Sequence, residues 1–157
     1  MRRPLCLALA LALGAPAAMA ATGPAVSIPG ETLPTGFHLV HGSVDLPSVI
    51  GSTMAIDQHS QGAIIDWGSF SIGSNASVVF HQPNADSVTL NRVIGNDLSV
   101  IAGNLSANGH IFLTNPNGVL FSQCVSVSVG GLVASTLGMS DDAFDTGMAT
   151  GQFVFSA

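Results

Sequence analysis

Between Gly103 and Thr136 the chain cannot run straight for more than a few residues. The stretch reads GNLSANGHIFLTNPNGVLFSQCVSVSVGGLVAST, and its short apolar runs are broken by Asn/Gly corners. The firmest corner is Asn115-Pro116-Asn117-Gly118. Pro116 presets φ near −65° for the second turn position, Asn115 can bond the backbone two residues on, and Gly118 accepts the exit angle. On pattern alone this is a structural turn before it is a binding loop. A chain punctuated this closely has no room for long helices, and Val125-Ser126-Val127-Ser128-Val129 alternates as a strand does, with valines on one face and serines on the other.

The same rhythm extends upstream. Apolar runs at 37–40, 53–56, 63–67, 78–80, 88–90, 98–101, 111–113, 119–121 and 125–129 read as strands. Their regular spacing suggests an all-β sandwich, barrel or solenoid. The Gly/Asn corners at Gly95-Asn96, Gly103-Asn104, Asn108-Gly109, Asn117-Gly118 and Gly130-Gly131, the shortness of the strands and the scarcity of charge favour a solenoid. A single-stranded, right-handed parallel β-helix satisfies all three, because each coil covers the edge of the next. A β-sandwich is the alternative. Residues 21–34 read as irregular, broken by Pro24, Pro29 and Pro34. Near the far end Ser140 is expected to cap a short helix, with Asp141 and Asp142 in its first turn and Gly147 as its stop. Residues 152–155 return to a strand pattern, and the solenoid is expected to be incomplete at its C-terminus, because terminal coils expose core unless capped.

The first 20 residues read as an export signal: Arg2 and Arg3, an apolar core over 5–15, then Ala18-Met19-Ala20 as a cleavage site. That core is shorter than the roughly 20 residues needed to span a bilayer. Cleavage after Ala20 would leave a domain over 21–157 with no integral membrane span. Arg92 would then face nine carboxylates, a formal charge of −8. Nucleic acid and anionic membranes need clustered basic residues, so neither is an expected partner. Cys6 falls in the leader, so a domain held by its apolar core rather than by a disulfide within 21–157 is expected.

The residues with chemistry to offer do not converge in the sequence. His38, His41, His59, His81 and His110 are scattered, and His38 and His41, three apart in one strand, are expected on opposite faces. No His/Cys/carboxylate set has metal-ligand spacing. Asp57 and Asp66 could be offered as a glycosidase pair, but nothing else in the sequence supports one. Cys124 reads as a small buried residue and Trp67 as core rather than a sugar platform. Asn91-Arg92-Val93 reads as a turn-like element. The chain is expected to be no enzyme and to need no cofactor or metal.

Taken in order, several segments resemble the N-terminal secretion domain of two-partner-secretion exoproteins, the filamentous haemagglutinin family. They are Ile64-Ile65-Asp66-Trp67-Gly68-Ser69-Phe70-Ser71-Ile72-Gly73, Val79-Phe80-His81-Gln82-Pro83, Leu90-Asn91-Arg92-Val93, Leu105-Ser106-Ala107-Asn108-Gly109, Asn115-Pro116-Asn117-Gly118-Val119-Leu120-Phe121 and residues 129–136. The resemblance implies a right-handed β-helix delivered by Sec to the periplasm and recognised by the POTRA domains of an outer-membrane β-barrel transporter, which threads it outward. Asn91, Arg92 and Val93, with Asn115, Pro116, Asn117 and Gly118, match the family's two signature motifs and are expected to serve transporter recognition or folding. Two departures stand out: Cys124 sits where the family usually has Gly or Ala, and family members continue well beyond this length. A surface adhesin binding host or bacterial cells, or a fragment of a larger exoprotein without function of its own, are the alternative readings.

Overall fold

The computed structural model describes residues 26–157, so the leader and its cleavage site lie outside the described residues. Twelve strands and one helix follow in chain order. They are β1 (His38–His41), β2 (Ser48–Ile50), β3 (Thr53–Asp57), β4 (Gly62–Trp67), β5 (Ser77–His81), β6 (Val88–Val93) and β7 (Ser99–Ile101). Then come β8 (Asn104–Ala107), β9 (His110–Thr114), β10 (Val119–Phe121), β11 (Ser126–Ser128), β12 (Gly131–Ser135) and α1 (Asp141–Thr150).

Corners cut the chain into short strands, and each strand pairs in parallel with its counterpart one coil later. The result is a parallel β-solenoid of about four turns. Thr53 aligns with Ser77, Ser77 with Asn104, and Asn104 with Ser126, building one sheet in the order β11-β8-β5-β3-β2. Gly62 aligns with Val88, Val88 with His110, and His110 with Gly131, building a second in the order β1-β4-β6-β9-β12. β7 and β10 form the third face. At the start of the stack β1 and β2 run antiparallel to β4 and β3 and cover the first coil, as a terminal cap must.

Inside the coils lie Ile56, Ile65, Trp67, Phe70, Ile72, Phe80, Ile101, Leu105, Ile111 and Leu113, each at most 1% exposed. The second sheet is also covered on its outer face. There Ile64, Val88, Leu90 and Phe112 meet Met139 and Phe144, with Met148, Phe153 and Phe155 packed alongside. Burial on both faces explains why β4 and β9 read as nearly continuous apolar runs rather than alternating ones. Fully burying one such side chain stabilises by roughly 1.5–3 kcal/mol, so the solenoid draws on this core rather than on charge.

The helix begins as its sequence suggests: Ser140 Oγ accepts from the Ala143 N–H at 3.1 Å, and Asp141 and Asp142 occupy the first turn. It does not stop at Gly147. That residue is buried inside the helix, where a Cβ would come within 2.2 Å of the Phe153 ring, and Gly151, at φ 77°, ends it. Residues 152–155 form no strand. Phe153 and Phe155 instead pack on the outer sheet face, beside a single bridge between Gly138 and Ser156. Two short strands, β2 and β8, are not among those the sequence pattern shows, the second lying where the sequence has a corner. Asn91-Arg92-Val93 is not a turn but the end of β6, and Cys124 is exposed rather than buried. A bulge between Leu39 and His41 resets the parity of β1, so that His38 and His41 align with Asp66 and Ile64 on one face.

Candidate functional site

Asn91-Arg92-Val93 ends β6, and Asn115 to Gly118 follows β9 directly. Because β6 and β9 are paired with Arg92 opposite Thr114, the two motifs stack at the same corner on successive coils. The strand alternation sends their side chains two ways. Asn91 and Val93 point into the solenoid with Trp67, while Arg92 points to the outer face.

Asn91 is fully buried, and its Oδ1 accepts from the indole Nε1 of Trp67 at 3.0 Å. Its Nδ2 donates to the Phe112 carbonyl of the next coil at 3.3 Å and approaches the Thr89 carbonyl at 3.5 Å. One amide thereby joins three successive strands of the sheet, β4, β6 and β9. An unpaired Trp N–H at this depth would cost about 1–3 kcal/mol, which accounts for a polar residue in an otherwise apolar layer.

Asn115 does the same work at the turn. It is fully buried. Its Nδ2 donates to the Asp97 carbonyl and to Ser99 Oγ, both at 2.9 Å, fixing the loop of the preceding coil. Its Oδ1 accepts from the Asn117 N–H at 2.9 Å, the local Asx bond the sequence anticipates. The Gly118 N–H closes the turn on the Asn115 carbonyl at 3.0 Å, and Gly118 sits at φ 113°, where a side chain would be strained. Asn117 reaches back to the Gly95 carbonyl at 2.8 Å. Pro116 and Asn117 are the exposed residues of the turn.

Arg92 forms a clamp on the outer face. Its Nε meets Asp66 Oδ1 at 2.7 Å, and one terminal nitrogen meets Asp141 Oδ1 at 2.5 Å and the Met139 carbonyl at 3.4 Å. Arg92 and Asp66 side chains are 20% and 18% exposed. Burial opposes the charge on Arg92, but its hydrogen bonds to Asp66 and Asp141 outweigh that, and the guanidinium pKa is raised. The clamp ties β4, β6 and the first turn of α1 together.

A third polar cluster has no signature in the sequence because its members are far apart in it. At the neighbouring corner the buried Gln58, Thr89 and Gln82 form a chain: Thr89 hydroxyl donates to Gln58 Oε1, and Gln82 Nε2 donates to Thr89 Oγ1 at 2.9 Å. Gln82 Oε1 then accepts from the Gly109 N–H at 2.8 Å. Among the described residues, no buried side-chain polar atom is left without a partner.

The chemistry-bearing residues stay dispersed. Asp57 lies on β3 bound to His81 at 2.7 Å, and Asp66 on β4 bound to Arg92, so the two carboxylates belong to different sheets and different partners. His59 pairs with Asp45 at 2.9 Å, and that hydrogen bond holds its pKa above the ordinary 6.5. His41 lies 3.5 Å from Asp145 of α1. No helix among the described residues is long and apolar enough to cross a membrane.

Three comparisons agree on what this arrangement is. The family described as the TPS secretion domain matches residues 31–153. The Heme/hemopexin-binding protein of Haemophilus influenzae strain Rd is 48% identical over 104 residues, covering 66% of this chain and 11% of the relative. A second Heme/hemopexin-binding protein of Haemophilus influenzae is 46% identical over 97 residues, covering 62% of this chain and 10% of its own length. The chain therefore corresponds to about a tenth of each relative. The crystal structure of the HMW1 secretion domain from Haemophilus influenzae superposes with a TM-score of 0.69 at 35% identity, covering 72% of this chain and 30% of that one. The family is one of secretion and not of catalysis. With most of its length matched and its solenoid shared, the chain belongs to the TPS secretion domain family, the N-terminal secretion module of two-partner-secretion exoproteins.

Proposed function

We propose that this chain is the recognition and export module of a bacterial exoprotein. A leader over residues 1–20 directs it through Sec, cleavage follows Ala20, and residues 21–157 are then taken up by the POTRA domains of an outer-membrane β-barrel transporter. The observation that carries this reading is the family match over residues 31–153, in a chain whose opening residues have the charge, apolar core and small-residue site of a signal.

The two motifs enter this function through folding. Asn91, Val93 and Asn115 are buried and engaged within the domain, so they offer a partner little in the folded state. A vectorially exported chain needs coils that close as they emerge, and these amides are the bonds that close one coil on the last. Binding of heme or hemopexin, named for the relatives, belongs to proteins about ten times the length of the segment matched here.

Export in cells that carry or lack the cognate barrel tests the reading. Appearance in the medium should require the barrel, with N-terminal sequencing of the secreted product starting at Ala21. Equal release in both strains would overturn it.

A further inference from the structure

The chain contains two Asn-Gly pairs, Asn108-Gly109 and Asn117-Gly118. Both are corners of the solenoid, and in both the asparagine is exposed. Such a pair carries its own chemistry. The glycine nitrogen, with no side chain beside it to hinder approach, can attack Cγ of the preceding amide. An N–Cγ bond forms, the Cγ–Nδ2 bond breaks, and ammonia leaves with the proton of the glycine N–H. One water then opens the cyclic imide at either carbonyl, giving aspartate or isoaspartate. Asparagine plus water has become an acid plus ammonia, with no oxidant or metal consumed. The step needs a glycine N–H free to lose its proton and an amide free to turn.

The fold withholds both at each corner. Gly109 is buried, and its N–H donates to Gln82 Oε1 at 2.8 Å. Asn108 is clamped at both ends of its amide, Oδ1 accepting from the Gln82 N–H and Nδ2 donating to the Gln82 carbonyl, each at 2.7 Å. At the other corner the Gly118 N–H is taken by the Asn115 carbonyl at 3.0 Å. There Asn117 Nδ2 donates to the Gly95 carbonyl at 2.8 Å and to Asn115 Oδ1 at 3.0 Å. Gln82 and Gly95 each lie on the coil before the asparagine they hold, so stacking of the coils shuts both pairs. They are not shut equally. Every one of these contacts at Asn108-Gly109 is to Gln82, whereas the bond that closes the exposed turn at Asn117 is local.

We propose that Asn108 and Asn117 are sites of spontaneous deamidation held closed by coil stacking. Asn117 is the first to convert in the folded domain, and both convert when the coils part. Conversion then works against reclosure. A carboxylate at 108 puts an oxygen where Nδ2 faced the Gln82 carbonyl, so a hydrogen bond becomes a meeting of two acceptors. At 117 the new oxygen faces the Gly95 carbonyl in the same way. Isoaspartate also lengthens the backbone by one carbon at a corner whose register the stack fixes. Either product adds negative charge to a domain whose one basic side chain beyond the leader, Arg92, is already held by two carboxylates. No transporter takes part, so this chemistry stands apart from the two-partner reading.

The purified full chain, held in mildly alkaline buffer with and without enough urea to unfold it, provides the test. Peptide mapping by mass spectrometry quantifies aspartate and isoaspartate at each corner. In urea the two sites should convert at similar rates. In the folded protein both should slow by roughly tenfold or more, Asn108 further than Asn117, because only the open fraction reacts. Gln82→Ala frees the Gly109 N–H, so conversion at Asn108 should rise several-fold in buffer while Asn117, the internal control, keeps its parental rate. After dilution from urea, converted chains should collect in the protease-sensitive fraction. Equal rates with and without urea, or no conversion at either site in urea, would overturn the proposal. Faster conversion of Asn108 than of Asn117 in the folded parent would overturn the order, and an unchanged Asn108 rate in folded Gln82→Ala would overturn the role of the coil contact. Should Gln82→Ala unfold the domain, both sites rise together and the parent with and without urea decides. Converted chains that refold as completely as unconverted ones would overturn the effect on reclosure.

Discussion

Replacing Asn91 by alanine removes one amide and should cost more than any exposed polar substitution in the domain. The change deletes the acceptor at 3.0 Å from Trp67 Nε1 and the donor at 3.3 Å from the Phe112 carbonyl. The 3.5 Å approach to the Thr89 carbonyl is too long to count for much. A fully buried indole N–H left without an acceptor costs about 1–3 kcal/mol, and the lost bond to Phe112 adds about 1 kcal/mol. The expected loss is about 2–4 kcal/mol, a large share of the roughly 5–15 kcal/mol by which a domain is stable.

The mechanism, and not only the size, can be checked with a double-mutant cycle. In a Trp67→Phe background no indole N–H remains to be orphaned, so Asn91→Ala should cost about 1–3 kcal/mol less there. Urea denaturation followed by far-ultraviolet circular dichroism measures all four corners of the cycle without relying on Trp67, the chain's one tryptophan, as the probe. Additivity within about 0.5 kcal/mol would refute the reasoning, because it would mean the two side chains do not depend on each other.

Other substitutions separate close packing, charge and titration. Gly95→Ala would bring a Cβ within 2.0 Å of the Gly68 carbonyl on the preceding coil, so the coils must part; a loss of about 3 kcal/mol or more is expected in urea titration. Gly51→Ala, with open space around it but φ 62°, should cost only about 1–2 kcal/mol. Arg92→Met breaks the clamp and leaves Asp66 mostly buried without its counter-charge, for about 2–3 kcal/mol, and limited proteolysis should cut near α1 first. For His59 the folded pKa lies above 6.5, so its pairing stabilises fully below that value and fades as pH rises through the folded pKa. Asp45→Asn should bring the His59 titration, followed by NMR, back towards 6.5.

What could be read from the chain alone was whatever a local geometry dictates. Asn115, Pro116 and Gly118 are legible because a tight turn demands those residue types in that order, and the structure places Asn115 and Gly118 in the roles their chemistry suggests. Ser140 is legible as a cap for the same reason. Several differences come from strand register or from contacts distant in the chain. Asn91-Arg92-Val93 looks like a turn because Asn and Arg interrupt an apolar run, yet the interruption is an inward amide beneath Trp67 and an outward cation clamped to α1. Neither contact has a sequence spacing that announces it. Gly147 looks like a helix stop until Phe153 is seen to need the space. His38 and His41 look opposed until the bulge turns one of them.

This difference bears on where recognition can be sought. A motif is visible in one sequence when its side chains do something specific, and here Asn91 and Asn115 are buried and bond one coil to the next. Substituting Asn91 or Asn115 should therefore lower secreted yield in step with melting temperature. Plotting one against the other for a series of variants checks this, and a yield that falls at unchanged melting temperature would mean that these side chains meet a partner directly.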